Sequence, residues 1–167
     1  MPGILRYLRD SALLVAVGWS CTVLQAPPAT GGELKPFVRG SYAAILNAHA
    51  DRPLVVGFWA TTCAPCLAEF PVWRDLQAEH PDFVLVLVST DKASAAPLVA
   101  RTLAKFGMDG VEAWIFADPF AARLRFEVDN RWRGELPRNY LIAADGTVRA
   151  MTGVIEKDMF RDWLSGQ

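Results

Sequence analysis

The chain has 167 residues, 52% of them apolar, with 18 acidic and 17 basic side chains and a formal net charge of −1. That length suits one domain plus an extension, and the apolar share is enough for a full core. A charge balance near zero leaves no nucleic-acid partner to expect, and three cysteines are too few for a disulfide-stapled scaffold.

In chain order, Arg6 and Arg9 precede a run without charged residues from Ser11 to Gly32. It is long enough to span a bilayer, with its basic flank inside. Residues 1–26 therefore read as a membrane anchor or a secretory signal, with a buried helix of a soluble protein as a third option. The obvious cleavage site after Ala26 is poor, with Leu24 at −3 and Pro27 at +1, which favours the anchor. Cys21 lies in this run and reads as an apolar residue rather than a lipid-attachment site, because Gly18 stands where such sites carry leucine. Residues 27–36, rich in Pro, Gly and Thr, read as a flexible tether, so the folded domain is expected over 37–167.

The rest alternates helices and strands. Ser41–Ala50 suits a short helix with Ser41 as N-cap, and Leu54–Trp59 a buried strand after Pro53. Ala64–Glu79 suits a helix with Pro71 inside it, where a kink is expected. Phe83–Val88 is apolar throughout, which predicts a central strand parallel to the first. A helix over Ala93–Phe106, a strand over Ala113–Phe116 and a short helix near Phe120–Phe126 follow. Asn139–Ala143 and Thr147–Thr152 form a predicted hairpin around Asp145-Gly146. A closing helix over Glu156–Leu164 presents Phe160, Trp163 and Leu164 inward. Trp73 and Trp114 also read as core, while His49 and His80 end helices and carry no predicted chemistry. The order β-α-β-α-β-α-β-β-α, without internal repeat, fits a mixed sheet covered by helices.

The chemistry concentrates in Phe58-Trp59-Ala60-Thr61-Thr62-Cys63-Ala64-Pro65-Cys66. A C-x-x-C at a strand-to-helix turn places the first sulfur at the helix N-terminus, where free N–H groups and the dipole favour a thiolate. Cys63 opens the helix and is the expected nucleophile; Cys66, one turn in, is the expected resolving thiol. Half of a zinc site is the alternative for a lone C-x-x-C. The chain has no second cysteine pair and only two histidines to complete one.

W-A-x-x-C-x-P-C after a strand resembles the thioredoxin superfamily. Leu67-Ala68-Glu69-Phe70-Pro71 after the second cysteine is similar to its TlpA/ResA-like branch, membrane-tethered thiol–disulfide oxidoreductases of the bacterial envelope. Gly134 to Gly146, with Leu136-Pro137 and Leu141-Ile142, matches a second signature of that branch. The resemblance covers about Phe37 to Leu164. It implies a thioredoxin-like α/β fold, a redox-active disulfide with no other cofactor, cysteine-containing protein substrates and a membrane electron-transfer partner. It also implies a location at the periplasmic face of the inner membrane.

The resemblance also assigns roles. Pro137 is expected cis and facing the dithiol, with Leu136 flanking the sulfurs. Trp59, Thr62, Ala64 and Pro65 are expected to border the substrate. Gly57 stands where cytosolic thioredoxins carry a buried aspartate, and Thr62 where relatives carry a bulky residue. Glu69, three residues after Cys66 on the same helix face, is the natural replacement as proton acceptor. A solvated first-turn glutamate is its alternative reading. Residues 129–134 read as an insertion beside the site. There Trp132 would contact a partner or tuck onto the core, and Arg131, Arg133 and Arg138 would stabilise a thiolate and attract acidic partners.

The leading expectation is a reductant serving cytochrome c maturation or copper-site thiols. The alternatives are an oxidant of the copper-sensitivity type and, in another class, a Cu(I)-binding metallochaperone. For the latter, the C-x-x-C spacing is wrong and no histidine follows His80. A peroxidase of this fold needs a threonine where Ala60 stands.

Overall fold

The structure, a computed structural model, describes residues 32–166. The expected anchor or signal over 1–26, Cys21 within it, the first part of the expected tether, and Gln167 lie outside the described residues. Among the described residues no helix is long and apolar enough to cross a membrane.

Six strands form one mixed sheet: β1 (Leu34–Phe37), β2 (Leu54–Trp59), β3 (Val84–Ser89), β4 (Glu112–Phe116), β5 (Arg138–Ile142) and β6 (Val148–Thr152). Their spatial order is β1-β4-β3-β2-β5-β6. The first four run parallel to one another, while β5 pairs antiparallel with both β2 and β6. The helices are α1 (Ser41–Ala48), α2 (Ala64–Glu79), α3 (Ala96–Lys105, preceded by a 3-10 turn at Ala93–Ala95), α4 (Ala121–Val128) and α5 (Lys157–Ser165).

The apolar runs at Leu54–Trp59 and Phe83–Val88 become the two middle strands because both of their faces are covered. Period-2 alternation splits β2 between two cores. Val55 and Trp59 pack with Phe70 and Trp73 of α2, Leu103 of α3 and Phe160 of α5. Leu54, Val56 and Phe58 pack with Tyr42 and Ile45 of α1 and Leu124 of α4. Each such buried large side chain contributes roughly 1.5–3 kcal/mol of transfer free energy. Of the three tryptophans expected inside, Trp73 is fully buried, whereas Trp114 and Trp163 are half-buried at the edges of the two cores.

The domain begins earlier than residue 37. Leu34, Lys35 and Pro36, expected as tether, join Phe37 in an edge strand that pairs with Ala113–Phe116. Phe37 is only 1% exposed and meets Phe58 edge-on and Phe116 face-on. Lys35 bonds Glu112 at 2.9 Å and sits over the Trp114 ring, so the strand's polar residues face solvent. At α1 the N-cap is Gly40, at φ 85°, rather than Ser41. Ser41 Oγ instead accepts the Val38 N–H from the first helical position. The Asp145-Gly146 turn forms as expected, with Gly146 at φ 85° and Asp145 Oδ1 accepting the Thr147 N–H at 2.8 Å.

Candidate active site

Cys63 sits at the junction of β2 and α2, and Cys66 one turn into α2; the two are joined by a disulfide. Cys63 is the N-cap itself: its backbone is extended and its sulfur accepts the Cys66 N–H at 3.3 Å. Pro65, in the first turn, lacks an N–H where a helix has no intrahelical partner for one. Cys63 is half-buried and Cys66 fully buried, so an incoming sulfur can reach only the first. The Cys66 N–H on Cys63 Sγ would help stabilise it as a thiolate once the disulfide opens. Thr62, Ala64 and Pro65 form an exposed rim around it.

Behind the disulfide, Glu69 is 4% exposed. Its Oε1 accepts two N–H groups, from Asn139 Nδ2 at 2.8 Å and from the Ile155 backbone at 2.7 Å. Burial pushes the carboxyl above the usual glutamate range. The Ile155 N–H, the nearby Trp73 indole and the Asn139 amide oppose that shift by favouring the charged form. The carboxylate is therefore no solvated first-turn charge. Pro137 is buried and joined to Leu136 by a cis peptide bond, and its carbonyl accepts the Gly153 N–H at 2.9 Å. Leu136 is half-buried and bridges the two cores.

These features can be set beside known proteins. Residues 34–104 match the thioredoxin family profile. Thioredoxin of Mycolicibacterium smegmatis is 36% identical over 52 residues, 31% of this chain and 46% of that protein. The chain spans about half the length of the curated relatives it matches. A thiol:disulfide interchange protein of the thioredoxin family from Chlorobium tepidum superposes with a TM-score of 0.58 at 21% identity. The superposition covers 72% of this chain and 83% of that one. A secreted Mycobacterium tuberculosis disulfide oxidoreductase, homologous to E. coli DsbE, gives 0.57 at 20% identity over 72% and 86%. The fold is thioredoxin-like.

Within the thioredoxin-like frame, the residues singled out from sequence divide into three groups. Cys63, Cys66, Glu69, Leu136 and Pro137 lie on the α2 end of β2 and the start of β5, which neighbour each other in the sheet. Thr62, Ala64 and Pro65 line its open side. Trp59, expected to border the substrate, does not, and Trp132 follows the core option of its two readings. Trp59 is 2% exposed because its ring packs against Phe70, centroids 4.9 Å apart. Trp132 is 3% exposed, lies 4.7 Å from the Phe58 ring and donates Nε1–H to the Glu135 carbonyl. The 129–134 loop tucks it onto the core rather than offering it to a partner.

The arginines differ from expectation too. Arg138 bonds Asp129 at 2.7 Å, Thr152 Oγ1 and Tyr140 Oη, so its charge is spent inside the domain. Arg133 reaches the Asn130 carbonyl, and Arg131 leans toward Asp129 with most of its side chain in solvent. Asp129 gathers the Arg131 N–H and two arginines, which hold its carboxyl below the usual range.

Sequence reasoning missed two residues. Asp91 accepts the Thr61 N–H and hydroxyl at 2.8 and 3.0 Å and the Ser89 hydroxyl at 2.8 Å, fixing the loop that leads into Cys63. A polar Ser-Thr-Asp stretch ending an apolar strand was the available signal. Asn139, fully buried in β5, is the other.

Proposed function

We propose that the protein is a thiol–disulfide oxidoreductase of the TlpA/ResA-like kind that reduces cysteine-containing proteins on the periplasmic face of the inner membrane. The observation that carries this reading is the Cys63–Cys66 pair at the head of α2 with the buried Glu69 carboxyl one turn behind it. The chain's own disulfide is then the redox group.

In the dithiol form, Cys63 thiolate attacks one sulfur of a substrate disulfide. That S–S bond breaks, and the leaving thiolate takes a proton. Cys66 then gives its proton to Glu69 and attacks Cys63 Sγ, forming the intramolecular disulfide and expelling the second substrate thiolate. Two electrons pass from the dithiol to the substrate. The exposed rim of Thr62, Ala64 and Pro65, with Leu136 and Pro137 beside it, is where an extended substrate segment would lie.

Support for an envelope location comes from the uncharged 11–32 run and from the secreted Mycobacterium neighbour. An anchor would hold the domain beside a membrane electron donor, which a reductant in an oxidising compartment requires. The oxidant alternative drew on an arginine-rich lip, and Arg138 is neutralised by Asp129.

The deciding measurement is the reduction potential of the pair in defined thiol–disulfide buffers. A value near thioredoxin's, about −270 mV, supports the reductant; one near about −120 mV, typical of strong dithiol oxidants, overturns the direction. Cys66→Ser is expected to trap mixed disulfides through Cys63 in cells, and recovering none would defeat the assigned order of attack.

A further inference from the structure

Gly57 and Asn139 face each other across the β2–β5 pair. Directly opposed residues of antiparallel strands send their side chains to the same face, here the one occupied by Val55 of β2 and Leu141 of β5. A Cβ at Gly57 would stand 3.0 Å from Asn139 Oδ1 and 3.3 Å from Leu87 Cδ2. The two positions therefore form one arrangement: β2 carries no side chain there, and β5 fills the space with an amide.

This amide is poorly suited to a purely structural part. Its Oδ1 is buried without a hydrogen-bond partner among the described residues. An orphaned buried acceptor costs stability, and an apolar side chain like Leu141 would avoid that cost. The Nδ2 group, however, reaches Glu69 Oε1 at 2.8 Å, beside the Ile155 N–H at 2.7 Å. An oxygen already accepting two N–H donors gains a proton only by giving one of them up, so the neutral carboxyl carries its hydrogen on Oε2.

We propose that Asn139 is a positioning residue for proton transfer. With Ile155 it holds Glu69 Oε1 as a fixed acceptor and leaves Oε2 to exchange the proton with Cys66. The inference rests on the thiol–disulfide reading above. An amide does not titrate at any working pH, so it holds the carboxyl in one orientation through both halves of the cycle. An aspartate there would compete for the same proton. Besides the thiols of Cys63 and Cys66 when reduced, no ionisable group acts on Glu69 among the described residues. Its other surroundings are Trp73 on α2, the Asn139 amide and the Ile155 backbone.

The test uses the full-length chain and follows the rate of glutathione disulfide reduction from pH 4 to pH 9. Asn139→Ala removes the donor, and the isosteric Asn139→Asp replaces it with an acceptor. Loss of a hydrogen bond to a charged group predicts a rate about tenfold lower near neutral pH, with the Glu69-dependent limb displaced upward. The Asp variant should move that limb further, because two carboxyls then share one proton. In a Glu69→Gln background, Asn139→Ala should add nothing.

A folded Asn139→Ala protein whose profile superposes on the parent's overturns the inference, as does additivity in the double variant. If the Ala variant does not fold, the Asp variant decides by the same criterion. A parent without exchange activity defeats the functional reading and this inference together. An active parent with indifferent Asn139 variants defeats the inference alone.

Discussion

Replacing Trp132 with alanine separates a core anchor from a docking side chain. The ring is 3% exposed and packs at 4.7 Å on Phe58, whose ring in turn meets those of Phe37 and Tyr140 at 5.9 Å and that of Phe116 at 6.3 Å. Burying roughly 200 Å² of such a side chain at about 25 cal/mol per Å² gives about 5 kcal/mol as an upper bound. Core tryptophan truncations cost about 3–5 kcal/mol, and a loop-borne ring lies at the lower end because the loop can settle into the gap. For a domain of this size each kcal/mol moves the melting midpoint by roughly 3–4 °C, so Trp132→Ala should melt about 10 °C below the parent. Trp132→Phe keeps the ring contact and loses only the bond to the Glu135 carbonyl, worth about 1 kcal/mol. The assay is thermal unfolding of the oxidised proteins by circular dichroism, with exchange rates measured well below the transition. A midpoint within about 3 °C of the parent, combined with a rate loss confined to protein substrates, would refute the anchor role and restore Trp132 as a partner contact.

Glu69 has a folded-state pKa above its ordinary value of 4.5, so the stability it contributes is complete below about pH 4.5 and is lost as pH rises through the folded value. Glu69→Gln should therefore gain on the parent in urea midpoint as pH rises from 4.5, and parallel curves would contradict the burial argument. Asp129 is shifted the other way, so its contribution is present above its ordinary value of 3.8 and fades as pH falls through the folded value. Asp129→Asn should be less stable at neutral pH and converge with the parent in strong acid; a constant gap would point to lost packing instead. A chain shortened to start at Arg39 loses β1 and the Phe37 contacts and leaves β4 as an unpaired parallel edge. It should aggregate or unfold without a sharp transition, and a sharp transition at the parent's midpoint would show β1 to be dispensable.

Much of the site was legible because its signals are local. Pro53 and an unbroken apolar run mark β2, and the cysteines fall where a helix N-terminus must follow. Glu69 sits three residues beyond Cys66, a spacing that places both on one face whatever surrounds them. What escaped depends on residues far apart in sequence. Asn139 is one polar residue in an apolar strand, and its meaning comes from Glu69, 70 positions earlier. β1 is four residues long and contains Lys35 and Pro36, so no periodicity distinguishes it from a tether until β4 lies beside it. Trp132 stands between two arginines in a loop, and its burial follows from Asp129 pinning the loop from below.

The sulfur that reacts is also the cap of α2, and that double duty links two measurements usually made apart. Oxidised and reduced forms each have an unfolding free energy. The difference between those energies is tied, through the closed cycle of folding and oxidation, to how much the fold displaces the pair's potential from that of the same two cysteines in an unfolded chain. About 30 mV of displacement corresponds to about 1.4 kcal/mol of stability difference for this two-electron couple. Any change that strengthens the hold of the first-turn N–H groups on Cys63 as a thiolate must raise the melting point of the reduced form and the potential together. Two melting curves, one for each redox form, therefore measure electron affinity.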